Sequence, residues 1–501
     1  MKKSYLLTCS LVYTLLATPL IAVTLPSIFS DHMVLQRGQE NPVWGKAEPG
    51  ESVRVRMDGQ EHTTVAGADG RWEVKLQSMP AGGPYVLEVV GGDDTIQIVD
   101  VLVGEVWLCS GQSNMQWSIS NSGEADLEII SAHAPSIRLI TVPNKGSQEP
   151  LDDFKGKWAV CSPDTVAGFS AVGYHFGQRL NRALGVPIGL VNNAWGGSAA
   201  EAWVPREVLE RYDRYAAYME ASDAKAAAHT DEIQARNEAR FKAWHDGGRK
   251  GKRPPWPNDP RYGQHRPANL YNGVLNPLIG YGIRGAIWYQ GESNAGRSGD
   301  YGHLFSLMIE TWRERWGQGD FPFYWVQLAD FYHERDHPID SDWARLREAQ
   351  TATLSLPNTG QAVIIDAGEG RDIHPRDKRV VGDRLARHAL AKTYGLGIAS
   401  ESPRFASMEI KDGMATLDFV HVSNGGLYAF DVEEVRGFAI AGEDRQFKWA
   451  QAKIQGRNKV EVSHPEIPNP VAVRYGWADN PVLNLYDRNG LPVTPFRTDQ
   501  W

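Results

Sequence analysis

Several segments of this chain are apolar along their whole length, and each runs directly into a polar or glycine-rich turn. They are VLVGEVWLCSGQSN (101–114), VPIGLVNNAWGG (186–197), IRGAIWYQGESN (283–294), FYWVQLAD (323–330) and AVIIDAGEG (362–370). Amphipathic segments typical of helices lie between them, for example residues 171–184 and 301–316. Apolar strands that alternate with amphipathic helices indicate a parallel sheet covered on both faces. The sequence therefore predicts an α/β core.

Segments with β-strand character flank this core on both sides. Residues 23–103 contain short segments such as VRVRM and RWEVKL, separated by turns such as DGQE and GADG, which predict a β-sandwich accessory domain. We expect the α/β domain at 104–400, with a charged helical segment and a Pro/Gly-rich loop inserted at 206–268. The segments ATLDFVHV and VAVRYGW, among others, predict a C-terminal β-rich domain at 401–501.

The N-terminus has the layout of a secretory signal peptide. Lys2 and Lys3 precede a mainly apolar run from Tyr5 to Ala22, with small residues near its end. This layout predicts that residues 1–22 are removed on export to the periplasm or the extracellular space. No later stretch has the ~20 apolar residues that span a bilayer, so we expect no membrane partner after cleavage.

Charge and cysteine content restrict the possible partners. The formal net charge of −9 at pH 7 argues against binding to nucleic acid or to an anionic membrane. No Cys/His cluster has the spacing of a zinc site. Export permits a disulfide between Cys109 and Cys161, and buried free thiols are the alternative. The sequence leaves the oligomeric state open.

The turns that follow the apolar strands hold the residues with catalytic chemistry. In a parallel sheet the carboxyl ends of the strands form the active-site edge. A serine there, Ser113, needs a base and oxyanion donors before it can act as a nucleophile. Residue 115 is Met, so the sequence lacks the Gly-x-Ser-x-Gly elbow of ordinary α/β-hydrolases. Gly196 and Gly197 offer backbone N–H groups that can approach an oxyanion closely.

Two further turns supply the remaining groups. Gln290 and Asn294 carry amides that can donate to an oxyanion, and Glu292 between them is an acid. His374 follows Asp372 by two residues, after the strand AVIID. Serine, donors and histidine thus occur in chain order, each after a strand, which favours a serine-dependent acyl-transfer site.

The order of GQSNM, the GG turn, QGESN and Asp-x-His resembles the four sequence blocks of SGNH-type hydrolases. More narrowly, the chain resembles the sialate O-acetylesterase family over nearly its whole mature length. The segments that carry this resemblance are LPSIFSDHMVLQR, GEVWLCSGQSNMQW, GLVNNAWGGSAAEAW, YNGVLNPL, RGAIWYQGESNA and DIHPRDK.

This resemblance implies an SGNH/flavodoxin-like three-layer core flanked by β-sandwich-like regions, and an acyl-enzyme mechanism without a cofactor or metal. It implies that Ser113 is the nucleophile and His374 the base. The oxyanion hole would combine the Ser113 N–H, the Gly197 turn and an amide from Gln290 or Asn294.

Three candidates can orient His374. The SGNH pattern has Asp-x-x-His, whereas Asp372 precedes His374 by only two residues, which aligns the two side chains only approximately. Asp372 is the first choice, Glu292 is its rival, and a backbone carbonyl is the third.

The resemblance implies an acetylated carbohydrate as substrate, with O-acetylated sialic acid first. An acetylesterase for xylan, xyloglucan or another plant polysaccharide is an alternative. A non-catalytic carbohydrate-binding protein is the alternative from another functional class.

Overall fold

The computed structural model describes residues 22–501. All but the last residue of the predicted signal peptide, 1–22, lies outside the described residues, so this signal stays a prediction. Within residues 22–501, none of the helices combines the length and apolar character needed to cross a membrane.

The N-terminal region consists of β-strands. They are β1 (Val34–Gln36), β2 (Asn41–Lys46), β3 (Ser52–Met57), β4 (Gln60–Val65), β5 (Arg71–Leu76), β6 (Gly82–Gly91) and β7 (Asp94–Gly111). Strands β4, β3, β6 and β7 pair in antiparallel order, and β2 pairs with β5. Strand β7 continues into the next sheet, so the domain boundary predicted at 103/104 falls inside a strand. The division into domains stays a prediction.

The core is a parallel sheet in the order β13-β12-β11-β7-β10-β8, with β9 antiparallel at the edge. Its further strands are β8 (Ala134–Thr141), β9 (Ala159–Cys161), β10 (Ile188–Asn192), β11 (Gly285–Tyr289), β12 (Phe323–Gln327) and β13 (Thr359–Val363). Strands β8, β9 and β10 lie on one side of β7 in the sheet, and the later strands β11, β12 and β13 lie on its other side. Ligands bind at such a switch point in open α/β sheets. The predicted α/β class is confirmed.

Helices cover both faces of this sheet. They are α1 (Ser113–Gln116), α2 (Ala125–Ser131), α3 (Pro163–Val166), α4 (Ala171–Leu184), α5 (Arg206–Leu209), α6 (Ala216–Ala227), α7 (Asp231–Asp246), α8 (Ser298–Trp316), α9 (Asp342–Ala352) and α10 (Lys378–His388). Helix α4 packs against α10, and α8 packs against α9. Helices α5, α6 and α7 belong to the predicted insertion, and α7 buries no side chain.

Complete burial explains the apolar strands. Every residue of β10, β11, β12 and β13 is buried. Trp107 of β7 contacts Phe176 of α4 with ring centroids 5.0 Å apart. Trp288 of β11 contacts Trp312 of α8 at 5.7 Å. Aromatic side chains of this size bury about 150–250 Å² each, so the two faces of the sheet are sealed by large apolar contacts. Cys109 and Cys161 are buried free thiols, which decides against the disulfide.

The C-terminal region forms its own buried cluster. Its strands are β14 (Arg404–Lys411), β15 (Met414–Val420), β16 (Leu427–Ala429), β17 (Phe438–Ala441), β18 (Lys448–Trp449), β19 (Gln451–Gln455), β20 (Lys459–Ser463), β21 (Ala472–Tyr475), β22 (Leu485–Asp487) and β23 (Phe496–Arg497). Two four-stranded antiparallel sheets, β14-β15-β20-β19 and β18-β17-β21-β23, share that cluster. This is the β-sandwich-like region predicted from the sequence.

Arg347 on α9 ties this region to the core. Its guanidinium, completely buried, donates to the carbonyls of Leu328 and Ala329 at 2.8 and 2.7 Å. It also donates to the carbonyls of Ala478 and Asp479 at 2.7 and 2.9 Å. Burial lowers the pKa of Arg347 to about 10. The side chain stays charged at neutral pH and holds four carbonyl groups from two parts of the chain.

We expect Arg347→Leu to lower the free energy of unfolding by about 3–5 kcal/mol, because four buried carbonyls lose a charged donor. The matched control is Arg345→Leu, two residues earlier on α9, where an exposed ion pair with Asp340 is lost. That change should cost at most about 1 kcal/mol. Urea denaturation followed by tryptophan fluorescence measures both. Equal losses in the two variants would contradict this role of Arg347.

Candidate active site

Ser113 lies at the carboxyl end of the central strand. Strand β7 ends at Gly111, and α1 begins at Ser113. Gly111 has φ +134°, and a Cβ at this position would lie 2.2 Å from the carbonyl oxygen of Tyr289. Only glycine fits so close to the neighbouring strand. The tight turn that results leaves Ser113 partly exposed at the edge of the sheet.

His374 reaches Ser113 from the loop after β13. Its Nε2 lies 2.8 Å from the Ser113 Oγ, which is hydrogen-bond distance. With Nε2 unprotonated, the hydroxyl donates to it. The indole of Trp117 stacks on the imidazole, with centroids 4.5 Å apart and planes 12° from parallel. The Trp117 Nε1–H donates to the Asn121 carbonyl at 2.8 Å. The imidazole is therefore held in its plane.

Asp372 lies on the other side of His374. Its Oδ1 is 3.6 Å from the His374 Nδ1, too far for a hydrogen bond but close enough for an electrostatic contact. The same oxygen accepts the backbone N–H of His374 at 2.9 Å. Asp372 thus fixes the His374 backbone and places a negative charge near the imidazole.

Glu292 contacts Asn114 instead of His374. Its Oε1 accepts from the Asn114 Nδ2 at 2.6 Å, and its buried Oε2 has no hydrogen-bond partner in residues 22–501. Asn114 also donates to the carbonyl of Ile373 at 3.0 Å and accepts from Lys378 Nζ at 2.5 Å. Asn114 therefore links the serine turn to the histidine loop.

Burial shifts the pKa values of these groups. It raises the pKa of Glu292 and lowers the pKa of Lys378 to about 7. The pKa of His374 is lowered, first by burial and then by the cation of Lys378, against an opposing effect of Asp372. The His374 imidazole is therefore neutral, and able to accept a proton, at pH 7.

The Gly196–Gly197 turn lies against Ser113. A Cβ on Gly196 would be 3.5 Å from the Ser113 Cβ, and the Gly196 N–H donates to Gln116 Oε1 at 2.8 Å. Gly197 has φ +70°. Within residues 22–501, the N–H groups of Ser113 and Gly197 donate to no acceptor. Two backbone donors beside the serine are thus unengaged.

The amides of the QGESN turn are already engaged. Gln290 Nε2 donates to the Ser198 carbonyl at 3.0 Å and to Asn294 Oδ1 at 2.7 Å. Asn294 Nδ2 donates to Glu201 at 3.0 Å, and its Oδ1 accepts from the Ala200 N–H at 3.0 Å. Both side chains are buried. They brace the chain that follows the glycine turn.

Sequence reasoning named Ser113, Asp372 and His374, and the structure brings these three together. It missed Asn114, Trp117 and Lys378, although all three lie inside the segments that carried the resemblance. Their side chains meet the serine and histidine only because β7 and the last loop converge. Across the described part of the chain, no group of His, Cys, Asp or Glu has the arrangement of a metal site.

A flavodoxin-like parallel sheet with a serine after its central strand and a histidine in hydrogen-bond contact defines an SGNH-type hydrolase. The family model described as "Carbohydrate esterase, sialic acid-specific acetylesterase" matches residues 103–236 and 264–391. The chain belongs to this family. It is a carboxylic ester hydrolase that acts on O-acetyl esters of carbohydrates, so the non-catalytic alternative is wrong.

Similar proteins cover nearly the whole chain. The sialate O-acetylesterase of Mus musculus is 31% identical over 525 residues, which cover 94% of this chain and 93% of the relative. That of Homo sapiens is 29% identical, with 94% and 91% covered. A crystal structure of a carbohydrate acetylesterase from Xanthomonas citri is 39% identical with a TM-score of 0.83, and the match covers 96% of this chain and 100% of that one.

We expect His374 to titrate below the ordinary pKa of histidine, because burial and Lys378 both disfavour the imidazolium form. Lys378→Met should raise the pKa of His374, since the repelling cation is gone. Arg379→Met is the control, because Arg379 pairs with Glu124 at the surface. NMR of histidine-labelled protein measures the titration, with His374→Gln to assign the signal. An unchanged pKa in Lys378→Met would contradict the electrostatic account.

Proposed function

We propose that this protein releases acetate from O-acetylated sialic acid, with Ser113 as nucleophile and His374 as general base. The observation that carries the assignment of residues is the 2.8 Å contact between Ser113 Oγ and His374 Nε2. A serine becomes a nucleophile when an adjacent base takes its proton. Support for the substrate comes from the family model and from relatives named sialate O-acetylesterase.

The reaction has two steps. His374 takes the proton of Ser113 as Oγ attacks the acetyl carbonyl, and it then gives this proton to the departing sugar oxygen. An acetyl ester of Ser113 remains. Water, deprotonated by His374, attacks that ester, and acetate leaves as the proton returns to Ser113 Oγ. The lowered pKa of His374 keeps the base unprotonated at neutral pH.

The oxyanion of each step needs hydrogen-bond donors. We assign this role to the N–H groups of Ser113 and Gly197, which have no acceptor in the described chain. Gln290 and Asn294 were the predicted side-chain donors. Because their amides bond to Ser198 and Glu201, we assign them to holding the glycine turn in place.

Asp372 is our choice to orient and stabilise protonated His374. It accepts the His374 backbone N–H and lies 3.6 Å from Nδ1, whereas Glu292 bonds to Asn114. Glu292 then acts through Asn114 on the geometry of the two loops.

Export is a further proposal, to the periplasm or the extracellular space. It rests on Lys2, Lys3 and the apolar run that follows them. Export stays a prediction. The division into domains at 23–103, 104–400 and 401–501 stays a prediction as well.

We expect the mature protein to release acetate from O-acetylated sialic acid, and Ser113→Ala to reduce this rate by about 10³–10⁶-fold. Acetylated xylan and xyloglucan are tested in parallel. Faster release from either polysaccharide would overturn the choice of sugar and leave the mechanism intact. Full activity of Ser113→Ala would overturn the mechanism.

Asp372→Ala should lower kcat on the order of tenfold to a hundredfold, because the imidazolium loses its nearest negative charge. Glu292→Gln should stay within a few-fold of wild type. Glutamine keeps an oxygen that accepts from Asn114. Replacing Oε2 breaks no hydrogen bond, because that atom has no partner in residues 22–501. Steady-state kinetics with 4-nitrophenyl acetate compares the two variants. Collapse of Glu292→Gln with near-normal Asp372→Ala would assign the orienting role to Glu292.

A further inference from the structure

A cavity of about 270 Å³ lies between the insertion and the QGESN turn. Helix α6 and the loop at 258–266 form one wall, and Ser293 and Arg297 form the other. Its volume is close to the lower limit of about 300 Å³ for small-molecule sites, which suits a single sugar ring. Part of the loop, up to residue 263, lies outside the residues that match the family model.

This cavity is one layer of residues away from Ser113. The Gly196–Gly197 turn contacts Ser113 on one side. On the other side, the Gly197 carbonyl accepts from Ser293 Oγ at 3.0 Å and lies 2.7 Å from His265 Nε2. Ser293 and His265 both line the cavity. The cavity therefore adjoins the turn that contacts Ser113.

Gln264 presents its side-chain amide to the cavity. Its side chain lines the space and the residue is only 9% exposed. In residues 22–501, no group donates to this amide or accepts from it. A ligand with hydroxyl or carboxylate oxygens would supply the missing hydrogen bonds.

Most of the charged residues that line the cavity form ion pairs. Arg266 pairs with Asp223 at 3.1 Å, and Arg297 pairs with Glu201 at 3.1 Å. Asp259 pairs with Arg261 at 2.7 Å, and Arg261 also pairs with Asp231 at 2.8 Å. Lys225 on α6 also lines the cavity, and it forms no ion pair within the described chain.

Lys225 is therefore the one charged residue of the cavity lining that has no ion pair in residues 22–501. A ligand with a single negative charge complements it, and a sugar carboxylate has that charge together with oxygens for Gln264.

We propose that this cavity is the subsite for the carboxylate-bearing part of an acidic sugar, with Lys225 and Gln264 as its recognition residues. The inference rests on the proposed esterase function and goes further, because it explains how the site distinguishes an acidic sugar from a neutral one. The inserted helices then determine the substrate, while Ser113 and His374 perform the chemistry.

The test compares O-acetylated N-acetylneuraminic acid with its carboxyl methyl ester, which removes only the charge. Wild type should hydrolyse the acid with the lower KM. Lys225→Gln should raise KM for the acid about tenfold, the usual loss for one charge-assisted hydrogen bond, and leave KM for the methyl ester unchanged. Gln264→Leu should raise KM for both. Lys225→Gln and Gln264→Leu should both hydrolyse 4-nitrophenyl acetate at the wild-type rate.

Lys242→Gln is the matched control, because Lys242 lies on α7 of the same insertion and pairs with Asp246 outside the cavity. A binding measurement separates this inference from the chemistry. By calorimetry, Ser113→Ala should bind the acetylated acid, and Ser113→Ala/Lys225→Gln should bind it about tenfold more weakly.

Equal KM values of wild type and Lys225→Gln for the acid would overturn the subsite and leave the esterase function standing. Equal KM values of wild type for the acid and its methyl ester would also overturn the subsite. If the wild-type protein does not hydrolyse 4-nitrophenyl acetate, the esterase function is overturned, and the subsite with it.

Discussion

The central strand β7 positions the whole site. Its terminal Gly111 packs against the neighbouring strand so closely that a side chain cannot be accommodated. Backbone hydrogen bonds then hold the serine turn from both sides. The Gly111 carbonyl accepts from the Trp195 N–H at 2.9 Å, and the Gln112 N–H donates to the Tyr289 carbonyl at 2.8 Å. The glycine turn and the QGESN turn are thereby fixed relative to Ser113. In the proposed mechanism, the N–H groups of Ser113 and Gly197 are thus preorganised and need no rearrangement when charge develops on the substrate.

A buried polar network joins the remaining loop to this frame. Asn114, Glu292 and Lys378 meet there, and burial raises the pKa of Glu292 and lowers the pKa of Lys378. Burying such groups costs free energy unless they bond to one another. The network also has a geometric consequence, because Asn114 donates to the carbonyl of Ile373, the residue before His374. These hydrogen bonds hold the loop of His374 against the turn of Ser113.

The sequence predicted much of the fold from local patterns. Helix α4 has the predicted bounds, 171–184, and α8 begins three residues before the predicted segment 301–316. The local pattern did not predict the two roles of strand β7. Its 18 residues pair first in an antiparallel sheet and then in a parallel sheet. Hydrophobic periodicity records burial but not the partner strand. The boundary expected at 103/104 therefore marks a change of surroundings inside one continuous strand.

The sequence by itself determined the class of sheet, and it predicted the strand ends that hold Ser113, Asp372 and His374, three residues that the structure brings together. Burial pattern and residue type are local properties, which a single chain displays directly. Only the tertiary structure decided that Glu292 bonds to Asn114, that the Gln290 and Asn294 amides are engaged, and that Gln264 is not. Hydrogen bonds join residues far apart in the chain. Which donor meets which acceptor therefore depends on how the strands are ordered, and the sequence pattern does not contain that order.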